Sequence, residues 1–208
     1  MAATRHDLTS GNRATLAGMN AVQGLLALDE RTARELRGLA RVLVRSGYAD
    51  HAAITAALTE AVQEDAPAMD ASALVPLLIG EALIDVTEDA KTWPEVTDLD
   101  RLDAVLAELE ALGLVVVRYT ADHHEARQAL EAAAEPQGLV FFTDTDVWHA
   151  VDFGMLELKV WHPDTANVAP GEPLLEDVLA LLNERNLPAV FDEGRIEVTL
   201  DWQRRVVL

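Results

Sequence analysis

The pattern of hydrophobic and polar positions is strongest between Gly138 and His162. Residues 139–142 are apolar at every position, which predicts a strand that is buried on both faces. From residue 156 to 161, leucine and valine are separated by Glu157 and Lys159, and this period of two predicts a strand with one wet face. Aromatic residues make up only 5% of the chain, so their clustering here marks the expected core of the C-terminal half. The clustered residues are Phe141, Phe142, Trp148, Phe153 and Trp161.

The N-terminal half has the period of a helix rather than that of a strand. A helical pattern begins near Asn12. A clearer pattern predicts a helix over residues 30–45, where apolar residues recur at i, i+3, i+4, i+7 and i+8. Gly47 is suited to end this helix. Asp50 is suited to cap the next one, which Pro67 ends.

A further helix is predicted after Asp70, with an almost continuous apolar block from residue 74 to 79. Pro76 lies inside this block, and two interpretations stay open: the proline kinks one helix or separates two. The all-helical pattern ends at Trp93 and Pro94. The sequence therefore predicts two domains, a helical unit over residues 1–92 and a second domain over residues 93–208.

Helices and strands are both predicted in the C-terminal half. Each of the first three helices there has an aspartate near its start that can accept hydrogen bonds from free backbone N–H groups. A β-branched run from Leu114 to Tyr119 predicts a strand before the central one. A helix beginning at Pro173 and a hairpin around residues 192–195 complete the elements. The expected N-caps are Asp98, Asp122 and either Asp144 or Asp146.

The order of these elements predicts the fold. With the short helix near residue 146 set aside, the order from residue 114 contains β-α-β-β-α-β, which is that of a ferredoxin-like fold. The predicted class is therefore α+β: a helical N-terminal unit followed by a ferredoxin-like antiparallel sheet with helices on one face.

The charge of the chain is strongly asymmetric. Residues 1–50 carry seven arginines against five acids, whereas residues 51–208 carry nine basic residues against 31 acidic ones, a net charge of −22. Such a surface repels nucleic acids and anionic lipids, so neither is expected as a partner. Two interpretations of the acidic excess stay open: a solvated surface that favours solubility, or a surface that binds a basic protein partner.

Several classes of function are disfavoured by features that the sequence lacks. It has no cysteine, which excludes disulfides, thiolate nucleophiles and cysteine-ligated metal sites. No apolar run approaches the roughly 18 residues of a membrane-spanning helix, and the first residues contain no apolar segment of a secretory signal, so a cytoplasmic location is expected. The glycine-rich phosphate loops and the nucleophile and zinc motifs of common enzymes are also absent, and no cofactor is expected.

His123 and His124, flanked by Asp122 and Glu125, form one candidate metal patch. Adjacent helical residues point about 100° apart, so the two imidazoles do not converge on one ion as histidines at i and i+4 do. An acidic variant of the capping box explains the same residues. We therefore predict no metal site at this position.

The densest group of ionisable residues is Asp144-x-Asp146-x-x-His149-x-x-Asp152. His149 and Asp152 are three residues apart, so on a helix the aspartate could orient the imidazole as a general base. Asp144 and Asp146 could add oxygen ligands for a hard cation, although their spacing departs from that of an EF-hand loop. The structural alternative is an ordinary N-cap. The polar loop from His162 to Glu172 is a second candidate location, because loops on a rigid scaffold often carry function.

Two segments are the most distinctive in the chain: Trp93-Pro94-x-x-Thr97-Asp98-x-Asp100-Arg101-Leu102 and the closing Leu200-Asp201-Trp202. Together with shorter matches over residues 36–203, they resemble a bacterial domain family of unknown function. The resemblance implies an intact, recurrent domain and brings no assigned activity, cofactor or catalytic residue. Members of that family often carry cysteines after the first strand, where this chain has residues 120–124 without cysteine, so a metal or redox role at that position does not transfer.

Three functional hypotheses stay open. The first is a non-enzymatic binding or interaction module whose acidic surface binds a basic protein. The second is a small hydrolase or transferase that uses His149 with Asp146 or Asp152. The third is a small-molecule sensor that binds its ligand between the helical half and the sheet. A homo-oligomer is compatible with all three.

Overall fold

The computed structural model describes residues 28–206, which belong to two compact units. One unit contains the described residues up to 91 together with 205 and 206, and the other contains residues 92–204. The helical pattern that begins at Asn12 lies outside the described residues. The division falls one residue before the predicted domain boundary. The independence of the two parts as folding domains stays a prediction.

The described part of the first unit contains three helices: α1 (Glu30–Ser46), α2 (His51–Asp65) and α3 (Ala71–Ala90). Each begins after an aspartate whose side chain accepts a hydrogen bond from a backbone N–H of the first turn. Gly47 ends α1 in the left-handed conformation, with φ of 68°, as predicted from the sequence. The three N-caps are Asp29, Asp50 and Asp70.

Pro76 lies inside α3, which continues without interruption from Ala71 to Ala90. The proline therefore does not separate two helices. It lacks the N–H that would bond to Ser72, and its exposed position near the start of the helix leaves that carbonyl within reach of water. Although α3 carries an almost continuous apolar block, neither it nor any other helix within residues 28–206 is long and apolar enough to cross a membrane.

The second unit contains four helices and five strands. They are α4 (Asp98–Ala111), β1 (Leu114–Thr120), α5 (His123–Ala132), β2 (Gly138–Thr143), α6 (Asp144–Phe153), β3 (Met155–Trp161), α7 (Pro173–Glu184), β4 (Ala189–Asp192) and β5 (Arg195–Thr199).

The five strands form one mixed sheet in the order β1-β2-β3-β5-β4. β1 and β2 pair directly and in parallel, whereas the other neighbours are antiparallel. The α+β class is confirmed. The ferredoxin-like topology is not confirmed, and the prediction of a wholly antiparallel sheet is wrong. A ferredoxin-like sheet splits its βαβ unit with another strand, but here the crossover through α5 returns the chain to the strand directly beside β1.

Helices cover both faces of the sheet around β2, so the prediction that all helices lie on one face is also wrong. On one face, α5 packs against Phe141 and Trp161. Val140 and Phe142 point to the opposite face and are fully buried as well. α7 lies on that second face, since its Leu174 would lie 3.1 Å from a Cβ added at Gly138, the residue that precedes Val140 by two positions in β2. The burial of all six residues of β2 confirms the strand that the apolar run predicts.

Gly138 occupies a position where β2 has no space for a side chain. An added Cβ would lie 2.8 Å from the carbonyl oxygen of Trp161. We expect Gly138→Ala to lower the free energy of unfolding by about 1–3 kcal/mol, because the strand pairing has to shift. Gly80→Ala is the control, since nothing lies within 4 Å of a Cβ there, and helix propensity predicts a gain of up to about 1 kcal/mol. Urea denaturation followed by circular dichroism measures both, and equal effects would contradict the prediction.

Candidate functional site

Two helices of the second unit begin with the same pattern, Thr-Asp-x-Asp, at residues 97–100 and 143–146. In both, the threonine is the N-cap, and its hydroxyl accepts a hydrogen bond from the backbone N–H of the last aspartate. The carboxylate of that aspartate accepts a hydrogen bond from the threonine N–H in return, which makes the pattern a capping box. The predicted N-caps Asp98 and Asp144 or Asp146 are therefore wrong, because the threonine before them has the extended backbone of an N-cap.

The first copy of the pattern connects distant parts of the chain. Asp98 accepts a hydrogen bond from Arg101 at 2.5 Å and another from the backbone N–H of Asp201 at 3.0 Å. This second bond joins residues 93–102 to residues 200–202, the two segments on which the family resemblance mainly rests. The motif at this position therefore has a structural explanation.

The second copy differs because its last aspartate is buried. Asp146 is only 4% exposed, whereas Asp100 is exposed. One carboxylate oxygen of Asp146 accepts hydrogen bonds from the backbone N–H and the hydroxyl of Thr143, at 2.6 and 2.7 Å. The Nζ atom of Lys159 lies 2.5 Å from both oxygens. A buried ion pair therefore fixes the start of α6 to β3.

Lys159 belongs to an ion-pair network on the half-exposed side of β3 and β5. Its Nζ lies 3.8 Å from Glu157, and Arg195 lies 3.4 Å from Glu157 and 3.6 Å from Glu197. Glu157 and Glu197 are directly opposite each other across the two strands. Because like charges in that position repel, Arg195 stabilises the strand pair by lying near both. The network holds Asp146 as a structural acceptor rather than as a free base.

The residues of the predicted catalytic cluster differ in burial, although Asp146 and His149 are three residues apart on α6, as His149 and Asp152 are. Asp146 faces the sheet, whereas His149 and Asp152 are exposed. The centroid of the His149 ring lies 6.0 Å from that of Phe153, in an edge-on arrangement. Since both oxygens of Asp146 contact Lys159, the geometry does not support the pairing of Asp146 with His149 that the enzyme hypothesis invokes.

The outward side of α6 carries two exposed aromatic residues. Trp148 is 37% exposed and Phe153 is 78% exposed, so the prediction that both belong to the core is wrong. α6 uses Val147, Ala150 and Asp146 to contact the rest of the unit. Helical spacing could have revealed this for Trp148, which lies at least 100° around the helix axis from both Val147 and Ala150. It could not for Phe153, which follows the buried Ala150 by three residues and is exposed as the last residue of α6.

His123 lies at the first position of α5, beside two buried aromatic rings. Its ring centroid is 5.5 Å from that of Phe141 and 5.9 Å from that of Trp161. Asp122 is the N-cap, as predicted, and its side chain accepts hydrogen bonds from the backbone N–H groups of His124 and Glu125. Before it, β1 ends in a bulge where Tyr119 has a φ of 59°, an unfavourable value for a bulky residue. His123 therefore takes part in aromatic packing.

The loop from His162 to Glu172 is held in place by its own contacts. The Nε2 atom of His162 lies 2.8 Å from a carboxylate oxygen of Glu172. The same oxygen accepts a hydrogen bond from the backbone N–H of Ala169, with an N···O distance of 2.7 Å. Two hydrogen bonds favour the ionised carboxylate and so lower the pKa of Glu172. The larger effect comes from His162 and the smaller one from the backbone of Ala169. An isolated bridge between Trp161 and Asn167 also connects this loop to the end of β3.

A groove of about 290 Å³ lies between α1 and α3 in the first unit. Arginines of α1 line one side and acids of α3 line the other, and Arg37 pairs with Glu81 at 3.0 Å. The volume is at the lower limit of the roughly 300–1,000 Å³ typical of small-molecule sites. This groove lies within the first unit and is not the cleft between the helical half and the sheet that the sensor hypothesis invokes, so that hypothesis stays a prediction. The charged residues are Arg34, Arg37, Arg41, Glu81 and Asp85.

Comparison with known proteins identifies a family but no activity. A family model described as a domain of unknown function, DUF6891, matches residues 29–206. This match confirms the resemblance to a domain family of unknown function. No curated protein and no solved structure matches the chain.

The two capping boxes provide a test of the buried ion pair. We expect Asp146→Asn to lower the free energy of unfolding by about 2–3 kcal/mol, because Lys159 loses its closest carboxylate in a mostly buried position. Asp100→Asn changes the same position of the exposed box, and we expect a loss of about 1 kcal/mol or less. Urea denaturation of both variants measures the difference. Similar losses would show that Asp146 acts only as a capping residue.

The lowered pKa of Glu172 predicts a pH dependence of stability. Because its pKa in the folded state lies below the ordinary value of 4.5, its ionised form stabilises the fold above that pH, and the contribution disappears as the pH falls through the folded-state pKa. We expect Glu172→Gln to be less stable than the wild type at pH 7 and to converge with it in acid. Urea denaturation across pH, with Glu176→Gln as the control, tests this expectation. A constant difference at all pH values would contradict it.

Proposed function

The chain belongs to the DUF6891 family of domains of unknown function, and we propose that it is a non-enzymatic binding module whose acidic second unit binds a basic protein partner. One observation carries this proposal. The few cations of the second unit already contact carboxylates or aromatic rings of the same unit, while the acids outnumber them.

The balance of charge within residues 92–204 is strongly negative. This unit has seven lysines and arginines against 23 aspartates and glutamates, a net charge of −16. Six of the seven cations lie within 4.0 Å of a carboxylate of the same unit. The seventh, Arg127, lies 5.9 Å from the ring centroid of Trp161. The paired cations are Arg101, Arg118, Lys159, Arg185, Arg195 and Arg204.

The excess negative charge favours a partner of opposite sign. It attracts a basic protein over a distance of about one Debye length, roughly 8 Å at physiological ionic strength, and repels nucleic acids at the same range. Such attraction mainly raises the rate of association and selects against other acidic surfaces. A surface that serves solubility alone would have the same charge but no partner, so the two interpretations differ in a measurable way.

Native mass spectrometry of the protein purified gently at low salt from its own cells tests the proposal. We expect an added mass of thousands of daltons or more from a basic protein, and we expect this complex to dissociate as the salt concentration rises, because salt screens exposed charges. A bare chain, a homo-oligomer alone or a complex that salt does not weaken would contradict the proposal.

A charge-neutralised variant makes the same test quantitative. We expect replacing four exposed carboxylates by their amides to slow association with the identified partner by about two- to fivefold at low salt. The control exchanges aspartate and glutamate at the same positions, which keeps the charge, and should leave the rate unchanged. Equal rates for the two variants would exclude electrostatic attraction through these helices. The positions are Glu131, Glu176, Asp177 and Glu184, all exposed on α5 and α7.

A further inference from the structure

We propose that the groove between α1 and α3 binds a small zwitterion, a molecule whose anionic and cationic groups are joined by a short apolar chain. The groove belongs to the first unit. The inference therefore goes beyond the proposed function and does not depend on the partner of the second unit. It rests on the space in the groove, on the direction of the two helices and on the charged groups at its two ends.

The floor of the groove is apolar, and its middle is open. Leu78 and Ala82 of α3 are buried, and Gly38 of α1 has no side chain to cover them. Among the described residues, nothing lies within 4 Å of a Cβ placed on Gly38, so close packing does not require a glycine there. Glycine inside a helix is unfavourable relative to alanine. Here it keeps open a volume of about 290 Å³, enough for a small ligand.

Two ion pairs show how the helices are aligned. Arg37 pairs with Glu81, 44 residues further along the chain. Arg45 pairs with Asp89, again 44 residues further along. α1 and α3 therefore run in the same direction at this contact. Asp85 lies between the two acidic partners, about 6 Å beyond the level of Arg37 along the groove.

The arginines at the start of the groove have N–H donors for an anionic group. Arg37 donates to Glu81 through Nε at 3.0 Å, and within residues 28–206 its two Nη groups form no further hydrogen bond or ion pair. Arg34 lies 3.9 Å from Glu30, and both side chains are largely exposed, so this pair contributes little. Arg34 and Arg37 are neighbours on one face of α1. A carboxylate can accept hydrogen bonds from both guanidinium groups.

Asp85 provides the opposite charge at the other end of the groove. Its carboxylate is exposed and, in the part of the chain that the structure describes, forms no hydrogen bond and no ion pair. An ammonium group beside it would form a charge-assisted hydrogen bond. A simple anion would leave Asp85 without a partner and would be repelled by it. The ligand charges should be about 6–10 Å apart, because Arg37 and Arg34 precede the level of Asp85 by one and two turns.

The test is titration of the isotope-labelled full chain with ε-aminohexanoate, followed by nuclear magnetic resonance. This zwitterion has an extended chain of matching length. We expect saturable chemical-shift changes at millimolar concentrations in the backbone amides of residues 34–41 and 78–85. Hexanoate and hexylamine each keep one of the two charged groups, and we expect both to bind about three- to tenfold more weakly.

Two variants test the two parts of the site. Asp85→Asn should weaken the binding of ε-aminohexanoate about three- to tenfold without weakening that of hexanoate. Gly38→Leu fills the middle of the groove and should abolish binding. Glu60→Gln, an exposed carboxylate on α2, is the control for the charge. Gly80→Leu is the control for the added side chain, because Gly80 has open space around it but does not line the groove. Both controls should bind as the wild type does.

Three outcomes would overturn the proposal. Equal affinity for hexanoate and ε-aminohexanoate would exclude the zwitterion as the class of ligand. The absence of saturable shifts, or unchanged binding in both Asp85→Asn and Gly38→Leu, would exclude the site. Shifts of the groove residues that grow with protein concentration in the absence of ligand would assign the groove to a second copy of the chain.

Discussion

The buried ion pair between Asp146 and Lys159 is the interaction on which the arrangement of the second unit depends. It joins the first turn of α6 to the middle of β3, and α6 is the segment that leads from β2 into β3. Removing either partner would leave the other charge in a mostly buried position, which is costly. Because the pair fixes the inner side of the helix, it also determines which residues α6 presents to solvent.

The same local sequence has two different consequences in this fold. Thr-Asp-x-Asp starts both α4 and α6 with a capping box, but only the second copy is buried against a lysine. In the first copy, Asp98 instead contacts the backbone of Asp201. The residues that carry the family resemblance thus explain how the unit is held together.

Short-range patterns predicted much of the architecture. Two helices of the first unit begin directly after the expected N-caps Asp50 and Asp70, and residues 139–142 belong to a strand that is buried on both faces. The errors concern N-caps and side-chain burial, where the local sequence is compatible with more than one structure. Threonine and aspartate can both cap a helix, so the N-cap was assigned one or more residues too late. Phe153 was assigned to the core from its type, but it is the last residue of α6, where its side chain is 78% exposed.

The sequence by itself determined the α+β class, the buried central strand and the acidic excess after residue 50. These features depend only on the types and spacing of residues that are close together in the chain. Only the tertiary structure decided the strand order, the partner of Asp146 and the exposure of Trp148 and Phe153. Lys159 is 13 residues from Asp146, and Asp201 is 103 residues from Asp98. Contacts over such separations depend on how the strands are connected, and α6 is a ten-residue helix that joins the antiparallel neighbours β2 and β3 rather than a short helix that can be set aside.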